Sequence, residues 1–190
     1  MNQSQRKVAL ALGGSSGTMY AYLLMKKLAT FSNIHVSVVM SDNAIVNWEL
    51  ELGPFVESQI PFRIYKNDDF FAPFASGSAR FDTLVICPCS MGLLGRIALG
   101  ISNDLITRTA DVMLKERRKL IIVPREAPYN IIHLENMLRL TQAGAIICPA
   151  SPSFYSRPKS IEDLCNTIVD RVLDIIDLPV DTYRWGSADK

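Results

Sequence analysis

Arg108 and Lys115 lie seven positions apart, about two helical turns, so a helix through them projects both cations from one face. Shortly after them stands Pro124-Arg125-Glu126-Ala127-Pro128, an arginine beside a glutamate between two prolines. Two cations on one face, with an Arg–Glu pair at a strand end, could hold an anion and move a proton. The plainer alternative is that Arg108 and Lys115 are solvated. On that reading Arg117, Arg118 and Lys119 fall in the last turn of the same helix and merely complement its dipole. Glu126 carries more of the chemical case, because a strand ending in PREAP is a poor way to build a neutral turn.

Periodicity gives the elements that must position these groups. Leu105, Ile106, Thr109, Val112 and Met113 recur at helical spacing, whereas Leu120 to Val123 is a β-branched run too short for a helix. The strand delivers Arg125 and Glu126 at its C-terminal end, the edge where open α/β sheets bind ligands. Upstream, Val8 to Leu12 reads as a buried strand ending in Gly13-Gly14-Ser15-Ser16-Gly17, with a helix following to Leu28. Small residues there let backbone N–H groups approach an anion at the helix N-terminus. The spacing is neither G-x-G-x-x-G nor a G-K-[ST] loop, so the dinucleotide and P-loop fingerprints are not met. Such turns also serve for tight packing alone.

A second strand, His35 to Met40, ends at Ser41-Asp42, and a helix containing Trp48, Glu49 and Glu51 follows. Gly53 to Arg80 is irregular apart from a short strand, Phe62 to Tyr65. Its Ala75-Ser76-Gly77-Ser78 is small enough for a planar ligand to press against, or is a plain surface loop. Thr83 to Cys87 is a central strand, and Ser90 caps a helix from Met91 to Leu99. Beyond Glu126, a helix Ile131 to Gln142 ends at Gly144. A strand Ala145 to Cys148 then opens into the segment reaching Tyr155. Ser160 caps a last helix, Ile161 to Ile176, on which Arg171 is either a ligand of an anion or simply solvated or paired with Asp174. Five strand ends (GGSSG, SD, PCS, PRE and PAS) gathered on one edge make one cleft. The expected fold is α/β, a three-layer α/β/α sandwich on a Rossmann-like parallel sheet. It is expected as one domain over 1–190 with an irregular tail, 177–190.

Composition narrows the function classes. Twenty basic against nineteen acidic residues leave a net charge of +1, so no broad electrostatic case for nucleic acid or membrane binding follows. The N-terminus lacks a signal peptide's cleavage region and no apolar run approaches spanning length, which points to a cytoplasmic protein. Cys87, Cys89, Cys148 and Cys165 show no C-x-x-C spacing and read as reduced core or rim thiols. Neither His35 nor His133 has metal-binding spacing around it, so no metal is expected.

From ALGGSSG through VMS, ASGS, ICPCS, LITRTADVMLKERRKL, VPREAP, HLENM and PSFY to RWG, the chain resembles the flavin prenyltransferases. These are the aromatic-acid decarboxylase flavoproteins of the homo-oligomeric flavin-containing cysteine decarboxylase superfamily. The resemblance implies FMN along the strand ends, with Gly14, Ser15, Ser16 and Ser41 on its phosphate and ribityl side. Ser90, Met91, Gly92, Leu93 and Arg125 would complete that pocket. It implies dimethylallyl monophosphate as second substrate, its phosphate gripped by Lys115, Tyr155 and Arg171 with Arg108 and Glu126 nearby. Tyr155 and Arg171 would come from a neighbouring subunit of a homo-oligomer, a dodecamer in the family. Gly13 departs from the threonine or serine more usual there.

The implied reaction joins the dimethylallyl group to N5 and C6 of reduced FMN and releases phosphate; a partner decarboxylase then uses the prenylated FMN. Lys115, Arg108 and Arg171 suit the developing charge on phosphate, Glu126 an acid for the leaving oxygen, and Trp185 an aromatic face for an allylic cation. Trp185 could equally be a tail residue packed on the surface. Two rivals stay open: a cysteine-type decarboxylase of the same superfamily and a non-catalytic FMN carrier. Against the first, the early helix just after Gly17 carries no histidine and the P-x-M-N-type segment is replaced by PREAP.

Overall fold

A computed structural model describes residues 5–184 and 186. Six parallel strands form one sheet: β1 (Arg6–Leu12), β2 (Ile34–Met40), β3 (Arg63–Lys66), β4 (Thr83–Cys89), β5 (Lys119–Pro124) and β6 (Ile146–Ile147). Their order is β3-β2-β1-β4-β5-β6. The chain winds outward from β1 in one direction and from β4 in the other. The reversal between β1 and β4 opens a crevice at their C-terminal ends, the place where doubly wound sheets take ligands.

Alternation along β1 shows how the layers are made. Val8, Leu10 and Leu12 pack with α1 (Thr18–Leu28), α2 (Asp42–Leu52) and α6 (Ile161–Ile175). Ala9 and Ala11 face the other way, toward α3 (Met91–Ala98), α4 (Leu105–Lys115) and α5 (Ile131–Gln142). Strands buried on both faces are what a parallel sheet between two helical layers requires. The expected three-layer sandwich is the fold observed.

Local signals place the helix starts. Ser41, Ser90 and Ser160 each accept a hydrogen bond from the amide three residues on, at 3.2, 3.3 and 3.0 Å. Asp104 and Asn130 open α4 and α5 with reciprocal capping boxes through Thr107 and His133. One end differs from the sequence reading. α4 stops at Lys115, and Arg117 takes a left-handed φ of 54°. Arg118 therefore turns back to donate to the Gly77 carbonyl, and Lys119 begins β5. These cations are not the last turn of α4, and the dipole account of them fails.

Strands β4 and β5 run slightly longer than expected and β6 shorter. The irregular stretch before β4 contains three short 3-10 turns, 57–59, 73–75 and 77–79. Among the described residues no helix is long and apolar enough to cross a membrane. Trp185 lies outside the described residues.

Candidate active site

The turn after β1 is closed by its neighbours. The Gly13 amide donates to the Pro88 carbonyl at 2.9 Å across the β1–β4 crevice. A Cβ on Gly13 would stand 2.8 Å from that oxygen, and one on Gly14 would stand 2.5 Å from Asn43 Cβ. A side chain at Gly14 would therefore have to displace α2, and one at Gly13 would need the β1–β4 contact to shift. The Ser41 amide donates to the Leu12 carbonyl, which brings the end of β2 to the same place.

Arg125 is tied in twice. Its backbone amide donates to the Cys89 carbonyl at 3.2 Å and its Nε to the Ser16 carbonyl at 3.1 Å. The ends of β1, β2, β4 and β5 thus meet around Gly14, Ser15, Ser16, Ser41, the Ser90 cap of α3, and Arg125. Ser15 is buried and its hydroxyl has no partner among the described residues. A buried hydroxyl without a bond is costly unless a ligand completes it. The first amides of α3, at Met91 and Gly92, precede the first intrahelical acceptor and add donors of the same kind. Such a donor-rich, backbone-lined cradle fits the phosphate and ribityl side of a flavin mononucleotide.

One member of this cradle was not read from sequence. The Glu51 carboxylate, in the last turn of α2, accepts from the Gly17 amide at 2.9 Å and the Thr18 amide at 2.8 Å. It occupies the N-terminus of α1, so that terminus is not open to an incoming anion. The available signal was negative: Gly17 caps α1 without a side-chain acceptor, and the exposed amides need one from elsewhere.

The cations of α4 are bonded to partners outside the cradle. Arg108 donates from Nε to the Ala75 carbonyl at 3.1 Å and pairs with Asp111 at 3.2 Å. Lys115 pairs with Glu116 at 2.6 Å. Glu116 in turn lies against Gly77, where a Cβ would come within 2.4 Å of its carboxylate oxygen. The Ala75-Ser76-Gly77-Ser78 loop is thus gripped by α4 and the residues just after it. Glu126 is exposed, its Oε1 accepting from the Ala127 amide at 3.0 Å.

Tyr155 and Arg171 share a different cavity of about 790 Å³, formed by α6 and the flanking segments. Its lining contains none of Arg108, Lys115 or Glu126. A single chain therefore gathers the residues expected on the flavin side but not the whole set expected around the substrate phosphate. Among the described residues, no group of three or more His, Cys, Asp or Glu side chains could hold a metal ion. The four cysteines are free and buried; burial pushes the Cys87 and Cys89 thiols far up, so they stay neutral.

Comparison with known proteins agrees with this geometry. Residues 1–178 match the family Flavoprotein. The flavin prenyltransferase UbiX of Methanocaldococcus jannaschii is 44% identical over 183 residues, covering 96% of this chain and all of that protein. A crystal structure of AnUbiX (PadA1) in complex with FMN and dimethylallyl pyrophosphate superposes with a TM-score of 0.90 at 40% identity, covering 97% of this chain and 100% of that one. A dodecameric FMN-dependent UbiX-like decarboxylase from Escherichia coli O157:H7 gives the same TM-score at 36% identity, over 95% and 100%.

Proposed function

The chain belongs to the Flavoprotein family and, within it, to the flavin prenyltransferases, and from that membership we propose that it joins the dimethylallyl group of dimethylallyl monophosphate to reduced FMN. The products are prenylated FMN, for use by a partner decarboxylase, and inorganic phosphate. The observation that carries the flavin half is the cradle at the strand ends, where Arg125 leans on Ser16 beside the unpartnered Ser15 hydroxyl. Reduced FMN supplies the nucleophilic N5 and C6.

The chain's own residues have four tasks. Gly14, Ser15, Ser16, Ser41, Ser90 to Leu93 and Arg125 bind and orient the flavin. Arg108, Lys115 and Arg171, with Tyr155, hold the substrate phosphate and stabilise charge as the ester bond breaks. Glu126 gives a proton to the leaving oxygen. Trp185 offers an aromatic face to the allylic carbon. Lys115 and Arg108 need not stay where the single chain holds them. Their pairs with Glu116 and Asp111 are surface pairs, which contribute little and can be exchanged for the charge-assisted bonds of a phosphate.

A complete site needs a second subunit. Tyr155 and Arg171 sit in a cavity away from α4 and are solvent-exposed within one chain. On α5, Ile131, Ile132, Leu134 and Leu138 are also exposed, an apolar face suited to burial against another copy. A closed homo-oligomer, of dodecameric form as in the family, brings Tyr155 and Arg171 of one chain to Glu126 of the next.

The test is single-turnover release of phosphate from dimethylallyl monophosphate by the protein loaded with reduced FMN. A burst of phosphate with a matching mass gain on the extracted flavin supports transfer. FMN binding without phosphate release would reduce the protein to a carrier. Glu126→Gln is expected to keep both ligands and slow the burst roughly 10²-fold, the usual loss for a general acid.

A further inference from the structure

Asp174 has no part in the reaction just described, yet it lines the Arg171 cavity. Its carboxylate is shared. Arg171 Nη1 donates to Oδ2 at 3.2 Å, and Arg184 donates from Nη2 to Oδ1 at 2.8 Å and from Nη1 to Oδ2 at 3.3 Å. One acid thus joins an arginine on α6 to an arginine on the segment beyond it. The helix beneath is fixed independently, since buried Asp170 pairs with Lys27 of α1.

We propose that Asp174 is a positioning residue of the phosphate site, holding the Arg171 guanidinium for the ester and tying the chain end, through Arg184, over the same cavity. This rests on the reading of Arg171 as a phosphate ligand. A guanidinium that gives one N–H to Asp174 keeps the rest of its rigid fork for an anion. The Arg184 hydrogen bond holds the Asp174 carboxyl below its ordinary value, so it is an anion at neutral pH.

Two effects oppose each other. A carboxylate repels an incoming phosphate, so removing its charge should lower KM. Freeing an arginine that is 64% exposed should raise it, because such a rotamer-rich side chain must then be immobilised on binding. The repulsion is exposed to solvent and screened, and two guanidiniums already face the acid. Orientation therefore wins, by about a fivefold rise in KM.

The experiment uses the assembled protein with reduced FMN and dimethylallyl monophosphate. It compares Asp174→Asn, Asp174→Glu, Arg171→Ala and the double variant Arg171→Ala with Asp174→Asn. Asp174→Asn should raise KM about fivefold with kcat within twofold, and Asp174→Glu should recover most of the loss. In the Arg171→Ala background, Asp174→Asn should add nothing. Tryptic cleavage after Arg184 should run several-fold faster in Asp174→Asn, a readout of the chain-end tie that is independent of activity.

An unchanged or lowered KM in Asp174→Asn, while Arg171→Ala raises it, removes Asp174 from the site and leaves the wider reading intact. An equal rise in both backgrounds overturns the link to Arg171. Unchanged cleavage overturns the tie to Arg184. If Arg171→Ala itself leaves KM unchanged, the phosphate reading fails and the proposal falls with it.

Discussion

The cradle at the ends of β1, β2, β4 and β5 and the cavity beside α6 are built by opposite means. In the first, Ser15 is buried and the contacts run through backbone atoms: Gly13 to Pro88, Ser41 to Leu12, Arg125 to Cys89. In the second, Tyr155 is 67% exposed and the arginines lean on a surface carboxylate. A backbone cradle is finished when the chain folds. A site made of side-chain ends is open on one side until something else closes it. The difference bears on the proposed reaction: the cradle is complete within one chain, whereas the cavity holding Tyr155 and Arg171 lacks Arg108, Lys115 and Glu126.

Breaking the cradle should therefore need only one small side chain in the right place. Gly14→Val puts carbon where Asn43 Cβ would stand 2.5 Å away, and overpacking of this kind costs about 1–3 kcal/mol. If that strain opens the turn, FMN affinity should fall by up to about a hundredfold. Flavin fluorescence titration measures it, with the thermal midpoint of the FMN-free protein as control. Unchanged affinity would show that the turn does not touch the flavin.

The contrast also explains what the sequence could tell. Period-two and period-3.6 patterns carry the sheet and the helices, and the Ser90 and Ser160 caps were legible because a capping bond spans only three residues. Strand ends are equally local, which made Gly14, Ser41 and Arg125 legible as members of one edge. Glu51 was not legible as a cap of α1, because the bond joins residues 34 apart. The end of α4 was misjudged for a different reason. Arg117 adopts a left-handed conformation without the glycine that usually announces one. Asp174 was visible as a partner of Arg171, a local i,i+3 pair, but its bond to Arg184 depends on the fold of the chain end.

The comparison is sharpened by mixing two defective subunits. Glu126→Gln and Arg171→Ala are each expected to lose the fast phosphate burst at a substrate concentration that gives it in wild type, one for want of a proton and the other because its KM is raised. Co-refolded in equal amounts, they should recover about a quarter of the wild-type sites if each site pairs Glu126 of one subunit with Arg171 of another. Burst amplitude of phosphate counts those sites. No recovery, with both variants assembling normally, would place the two residues within one chain or Arg171 outside the site, and the division between the two regions would disappear.

The smallest effect is expected between the two regions, at the start of α4, whose body carries Arg108 and Lys115. Asp104 accepts from the Thr107 amide at 2.8 Å and pairs with Arg96 of α3 at 2.5 Å. Burial pushes its carboxyl up, but the Thr107 amide, the Arg96 guanidinium and the Thr107 hydroxyl outweigh that and hold it below 3.8. A carboxyl depressed by folding stabilises the native state above its unfolded pKa, and that contribution is lost as pH falls through the folded value. Asp104→Ala should thus cost about 1 kcal/mol at pH 7, the usual loss for a helix cap. The difference from wild type should begin to narrow below about pH 4. Urea midpoints for both proteins at one protein concentration, taken at pH 7 and at pH 3, measure it. A gap that stays constant with pH would mean that Asp104 acts through its packing and not through its charge, and that α4 is held to α3 by contacts other than the Arg96 pair.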